Sequence, residues 1–337
     1  VKRPAVSILL PFRDAAATLD ETLESIAAQS FTDYEVVAVD DGSRDDSAAR
    51  VAERARRDPR LRLFRTPHRG QVEAMNFGLA RARAPLVARM DADDRMHPER
   101  LARQHACLAS EPRLSLVGSR IRLFPERAIT DGFREYIRWQ NGCLTPEEIA
   151  ANIYVELPIA HPSMMYRRQA ILDAGGYRDG EFPEDYELLL RLHRQGHRMA
   201  KLPQVLLEWR ESSGRLTRTD PRLSRTAFDR IRAAYLARDP RLTAGRPLAF
   251  WGAGRNTRKR VTHLLQHGFQ PGVWVDIDPR KIGNIVDGAR VVGPDWLRRK
   301  EKPFVLSYVA NHGAREEIAA WLETMAYRRG TDYLIVG

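Results

Sequence analysis

The valine-rich run Val36-Val37-Ala38-Val39 passes directly into Asp40-Asp41-Gly42-Ser43. An unbroken apolar run of this kind has the pattern of a strand buried on both faces, as in a parallel sheet. Open α/β sheets gather ligand contacts beyond the carboxyl ends of their strands, so two acids and a glycine at this point constrain both fold and use. Two other segments repeat the arrangement. Val6-Ser7-Ile8-Leu9-Leu10 is stopped by Pro11 and followed by Phe12-Arg13-Asp14, after which Leu19, Leu23 and Ile26 stand at helical spacing. Pro85-Leu86-Val87-Ala88 leads into Met90-Asp91-Ala92-Asp93-Asp94. Three strand ends carrying polar residues are expected at one edge of one sheet.

Three carboxylates in four residues repel one another and are costly to gather unless something positive binds there. A hard divalent cation suits them, because Mg²⁺ takes oxygen ligands and is often held by one or two carboxylates together with substrate phosphates. The plainer reading is an acidic turn that caps the next helix.

From Val1 to about Ala109 strands and helices alternate, with helices over Ser47 to Arg57 and Gln71 to Arg83 and a strand over Arg60 to Arg65. Periodicity weakens between Pro125 and Asn152, which reads as an insert on the acceptor side, with Tyr136 and Trp139 as stacking or packing residues. Leu202 to Trp209 reads as a closing strand and Leu223 to Ala237 as a linking helix. A second α/β unit follows: a strand Pro247 to Trp251, the turn Gly252-Ala253-Gly254, a helix to Gln266, and a strand Val273 to Val275 ending at Asp276. Glycines at such a turn let a phosphate approach a helix N-terminus, and an acid some twenty residues on can hold a ribose. The third glycine of that fingerprint is replaced by Thr257, so the turn serves either a nucleotide or tight packing. Strands over Phe304 to Val309 and Tyr333 to Val336, with a helix over Ala314 to Ala326, complete a small Rossmann-like unit. The expected division is residues 1–220, a helical linker over 221–245, and the Rossmann-like unit over 246–337.

Ser7 to Asp14, Gln29 to Glu35, Asp40 to Ser43 and Asp91 to Asp94, taken in order, resemble the family 2 glycosyltransferases, inverting enzymes of the GT-A fold. The resemblance continues through Gly70, Ala74, Asn76 and Gly78, through His161 to Arg168, Gly175-Gly176-Tyr177 and Glu184 to Leu192, about two-thirds of the chain. Arg13-Asp14 departs from it, since the family more often has an aromatic or small residue followed by asparagine. It implies transfer of a sugar from a nucleoside diphosphate, UDP for preference, to a hydroxyl of a saccharide or lipid-linked acceptor, with Mg²⁺ or Mn²⁺ as cofactor. It implies that Pro11, Arg13, Asp14, Asp40, Asp41, Asn76, Asp91 and Ala92 line the donor site, with Asp41 accepting from the base. It makes Asp93 the metal ligand, with Asp91 a second ligand or a ribose contact, while Asp94 caps the helix near Pro98 or orients its neighbours. Asp185 matches the general base, and its place ahead of an amphipathic helix fits an N-cap as well. Glu184 beside it would raise its pKa. His161, at the head of an expected strand, and Arg210 and Arg215, near the diphosphate, form a second tier with Gly252, Gly254 and Asp276.

The chain has 337 residues and a net charge of +11. The basic residues are dispersed among acids without a recognition-helix or zinc-finger pattern, which speaks against nucleic acid. The surplus fits either peripheral contact with an anionic membrane or an arginine-rich composition. No run reaches the ~20 apolar residues of a membrane span, and two cysteines fit a reducing compartment. The expected location is the cytoplasm, or the inner face of the cell membrane. A nucleotidyltransferase acting on sugar phosphates and a non-catalytic nucleotide-sugar sensor are the competing classes. The former expects glycine and lysine in the first loop, and Leu10 to Ala17 has neither.

Overall fold

The computed structural model describes residues 3–212, 220–309 and 313–337. The chain divides into two compact units, one of residues 1–149, 157–180 and 184–219 and one of residues 150–156, 181–183 and 220–337.

The first unit is built on an eight-stranded sheet. Its strands are β1 (Val6–Phe12), β2 (Tyr34–Asp41), β3 (Leu61–Thr66), β4 (Leu86–Arg89), β5 (Arg95–Met96), β6 (Leu114–Phe124), β7 (Met165–Arg167) and β8 (Arg198–Arg210), in the order β3-β2-β1-β4-β7-β6-β8-β5. The strands β3, β2, β1 and β4 are mutually parallel, so β1, β2 and β4 end at one edge. Both faces of this part are covered, which explains the unbroken apolar runs. Ile8, Leu10, Val36 and Ala38 join Leu19, Leu23 and Ile26 of the helix Leu19–Ala27 in one core. The helix Gln71–Arg81 packs closely beside Leu9 and Val39. A Cβ on Gly78 would stand 2.3 Å from Leu9 Cδ1 and 3.0 Å from Val39 Cγ2, so a larger residue there would push the Leu9 side chain aside. Pro11, which has no amide hydrogen, falls where β4 no longer pairs with β1, a position a strand proline tolerates.

The stretch after Pro125 is ordered into the helices Asp131–Gly142 and Pro146–Asn152. Tyr136 donates to Leu157 O at 3.0 Å, and rings of Phe133, Tyr136, Trp139 and Trp209 pack in sequence. These contacts show Tyr136 and Trp139 in packing.

The second unit has six strands, β9 (Leu248–Trp251), β10 (Val273–Val275), β11 (Ile285–Val286), β12 (Ala289–Val292), β13 (Phe304–Ser307) and β14 (Tyr333–Ile335), in the order β11-β12-β10-β9-β13-β14. All neighbours but β11 and β12 are parallel. In order of appearance the parallel strands run 3-2-1-4-5, a Rossmann-like arrangement with its switch point between β9 and β13. The stretch 221–245 is counted in this unit, where the helix Arg225–Leu236 packs on the helix Arg255–Leu265. The hairpin of β11 and β12 was not expected, although Asp287-Gly288 is its signature. Both residues take positive φ, 47° and 76°, as a two-residue hairpin turn requires.

Candidate functional site

At the end of β1, Asp14 adopts a left-handed φ of 49°, which aspartate tolerates better than most residues. Its amide donates to Ser43 Oγ at 3.1 Å and its carboxylate accepts from Arg44 N at 2.7 Å, which joins the loops after β1 and β2. Arg13 meets His68 Nε2 at 2.7 Å. Asp40 is buried and accepts from Ser43 N at 2.8 Å. Asp41, also buried, accepts from Arg69 N, Gly70 N and the His68 ring at 2.8–3.0 Å. Gly42 is required between them, because a Cβ at its φ of 71° would stand 2.8 Å from His68 N. Asp41 therefore shapes the loop 68–70, which was not part of the expectation of a base contact.

The acidic run after β4 is braced from several sides. Thr18 Oγ1 donates to Ala92 O at 3.0 Å and Thr22 Oγ1 to Asp94 O at 2.8 Å, so the helix Leu19–Ala27 fixes the turn. Asp94 is fully buried and accepts from Arg210 N at 2.8 Å. The helix it was expected to cap begins at Arg100, after Glu99, without a side-chain cap. Asp94 thus ties the turn to the end of β8. Arg210 donates to Asp93 O at 2.7 Å, pairs with Glu21 and lies over the Phe124 ring, so it braces this turn. Its expected partner Arg215 lies outside the described residues.

Carboxylate oxygens of Asp91, Asp93 and Asp94 lie within 4.8 Å of one another. An all-oxygen set this close fits a hard divalent cation. Beneath them sits Arg89, fully buried, donating to Asp91 Oδ1 at 2.6 Å and to Met90 O. Arg100, also fully buried, donates to Arg89 O at 2.8 Å. Burial lowers its pKa to about 9, against the pull of Asp94.

Asp185 is the second residue of the helix Glu184–Arg194 and accepts from Tyr186 N at 2.7 Å. Burial of its carboxyl group raises its pKa well above the usual carboxylate range, and the neighbouring charges of Glu184 and Asp91 add to the shift. The influence of Asp91 joins the end of β4 and the start of this helix in one electrostatic neighbourhood. His161 does not begin a strand: His161–Ser163 is a 3-10 turn ahead of β7, because Pro162 favours the turn. Its Nε2 lies 3.2 Å from Tyr177 Oη, and burial together with Arg89 depresses its pKa to about 3, so it is neutral. Asn76 uses both ends of its amide on the backbone of Tyr177, at 2.9 Å each. It holds the Gly175-Gly176-Tyr177 turn, an engagement not foreseen beside the expected donor contact.

Sequence reasoning passed over Arg89 and the buried pair Glu187 and Arg191, which meet at 2.8 Å. Arg191 also donates to Gly176 O at 2.7 Å, which seats the Asp185 helix on the same turn. Their signals were present: an arginine at the end of an apolar strand two residues before a carboxylate, and an acid–base pair four apart within an apolar helix.

In the second unit Asp276 is buried and accepts from Ala253 N at 2.8 Å, Asp278 N at 2.9 Å and Lys281 Nζ at 3.1 Å. A Cβ on Gly252 would stand 2.9 Å from Thr257 Cγ2 and 3.0 Å from Val309 Cγ2, so that glycine answers to close packing at a φ of 106°. Gly254 has open space, with Lys281 Nζ 3.9 Å from its Cβ position.

Solved glycosyltransferases share the fold. TarS of S. aureus, in complex with UDP-GlcNAc, superposes with a TM-score of 0.54 over 78% of this chain and 80% of that one, at 16% identity. The mannosyltransferase PcManGT from Pyrobaculum calidifontis, in complex with GDP-Man and Mn²⁺, gives 0.52 over 80% and 70%, at 20% identity. The first unit is thus a GT-A glycosyltransferase fold. Residues 7–175 match the model of glycosyl transferase family 2. The amylovoran biosynthesis glycosyltransferase AmsE of Erwinia amylovora is 32% identical over 210 residues, 62% of this chain and 76% of that protein. The chain belongs to glycosyl transferase family 2, which sets aside the nucleotidyltransferase reading. Among the described residues no helix is long and apolar enough to cross a membrane.

Proposed function

We propose that this chain is an inverting glycosyltransferase that moves a sugar from a nucleoside diphosphate, UDP for preference, to a hydroxyl of a growing polysaccharide or lipid-linked glycan. The observation that carries the reading is a carboxyl group of raised pKa, Asp185, in one electrostatic neighbourhood with the acidic cluster at the end of β4. UDP is favoured by the UDP-GlcNAc complex of TarS, and glycan synthesis by AmsE.

Asp93 and Asp91 would hold Mg²⁺ or Mn²⁺, whose charge when bound offsets that of the diphosphate. Pro11, Arg13, Asp14, Asp40 and Asp41, at the ends of β1 and β2, line the donor with Ala92. Arg89 holds Asp91 in register. Asp185 takes the proton of the acceptor hydroxyl as its oxygen bonds to the anomeric carbon from the face opposite the leaving group. The bond from that carbon to the diphosphate oxygen breaks in the same displacement, and the nucleoside diphosphate leaves with the electron pair. A base acts best when its pKa approaches the working pH, which the burial of Asp185 favours.

Turnover against a panel of nucleotide sugars with Mg²⁺ or Mn²⁺ tests the reading, with release of nucleoside diphosphate as the signal. One donor class should be consumed, and Asp93→Ala should lose the metal-dependent part of UDP affinity in calorimetry while melting as the wild type does. Metal-dependent affinity that survives Asp93→Ala would remove the metal assignment. A donor that binds and is never consumed, whatever acceptor is offered, would favour a sensor.

A further inference from the structure

Four of the five large apolar side chains exposed among the described residues fall within one stretch of the second unit: Ile277 (75% exposed), Ile282 (42%), Ile285 (76%) and Trp296 (36%). The backbone brings their segments together. Asp276 N donates to Val292 O at 3.0 Å and Gly283 N to Val291 O at 2.9 Å, so the loop after β10 runs along β12. Ile282 Cδ1 is 3.4 Å from the Cβ position of Gly293, and the turn Pro294–Leu297 that carries Trp296 follows at once. Ile285 lies across the hairpin from Arg290 on the outermost strand of the sheet. Apolar side chains gathered in this way on a soluble surface mark a contact face.

The same edge is basic. Residues 276–302 carry Arg280, Lys281, Arg290, Arg298, Arg299, Lys300 and Lys302 against Asp276, Asp278, Asp287, Asp295 and Glu301; Arg280, Lys281 and Arg298 pair with Asp278, Asp276 and Asp295, so the surplus rests on Arg290, Arg299 and Lys300. Arg299 lies over the Trp296 ring at 4.1 Å, which gives one amphipathic pair, apolar in the ring and cationic at the head.

We propose that this edge seats on an anionic lipid bilayer, with Ile277, Ile282 and Trp296 in the boundary between headgroups and acyl chains and the basic residues against lipid phosphates. Exposed isoleucines with tryptophan and flanking arginine and lysine suit that boundary. A second copy fits less well, because a two-fold contact would set the basic residues of one copy against the same residues of the other. The proposal stands apart from the reaction assigned above, since none of these residues belongs to the first unit.

The test is co-sedimentation of the full chain with vesicles of phosphatidylcholine alone and with added phosphatidylglycerol, at rising salt. The chain should bind the anionic vesicles in preference, with binding that falls as salt screens the charges. Ile277→Glu with Ile282→Glu should weaken binding by about tenfold or more, and Arg298→Glu with Arg299→Glu should flatten its salt dependence. Both variants should melt as the wild type does and consume donor in solution at its rate. Equal binding to neutral vesicles, or variants that bind as the wild type does, would overturn the proposal. So would a concentration-dependent dimer in sedimentation velocity that Trp296→Ala abolishes.

Discussion

Asp185 and Glu184 are neighbours in sequence, and the proposed reaction gives them different tasks. Burial sets the raised pKa of Asp185, and the adjacent negative charge of Glu184 raises it further by disfavouring a second charge nearby. The sign of the pH dependence follows. A general base works only when deprotonated, so kcat/KM should rise with pH through the raised pKa of Asp185. Glu184→Gln removes one source of that elevation and should move the acid limb to lower pH while the plateau persists, which a pH–rate profile reads directly. An unmoved limb would show that Glu184 does not act on the base, and loss of all turnover would make Glu184 the base itself. Arg89 works in the other direction, as a buried cation that makes a cluster of three carboxylates tolerable before anything binds there.

At the scale of elements, the helix Glu184–Arg194 is held by a pair that serves the site without belonging to it. Glu187 and Arg191 are only 2% and 3% exposed, so removing Arg191 takes from the buried Glu187 carboxylate its bidentate partner and leaves the exposed Arg178 at 3.7 Å. Arg191→Met should cost about 3–5 kcal/mol of stability, and the double variant with Glu187→Met should recover part of the loss; thermal melting checks both. Spacing alone does not separate such a pair from a solvated surface pair, and only the leucines that flank it, Leu188 to Leu190 and Leu192, mark it as buried. The strands of the first unit were legible for the opposite reason: both faces are covered, so Ile8 to Leu10 and Val36 to Val39 are apolar, and the one buried polar residue of the first run, Ser7, is satisfied by Glu35. The acids at their ends were legible too, but their partners were not. Asp41 turned to the loop 68–70, Asn76 to the Tyr177 backbone and Arg210 to the acidic turn, because each bond joins segments distant in sequence. The Asp287-Gly288 hairpin is a different case, since its signature is two adjacent residues and needs no distant partner.

At the scale of the molecule, the chain joins a glycosyltransferase unit to a small parallel-sheet unit whose glycine turn is packed at Gly252 and open at Gly254. Asp276 binds the amide of Ala253 within that turn, and Gly252 meets Thr257 and Val309, which accounts for both residues without a nucleotide. In the proposed reaction the chemistry falls to the first unit and above all to Asp185. The most direct test pairs donor binding with turnover in Asp185→Asn of the full chain. The amide keeps the shape of the carboxyl group and cannot take a proton, so calorimetry should return wild-type affinity for the donor while turnover falls by roughly 10²–10⁴-fold. Turnover near the wild-type rate, with wild-type pH dependence, would contradict the account.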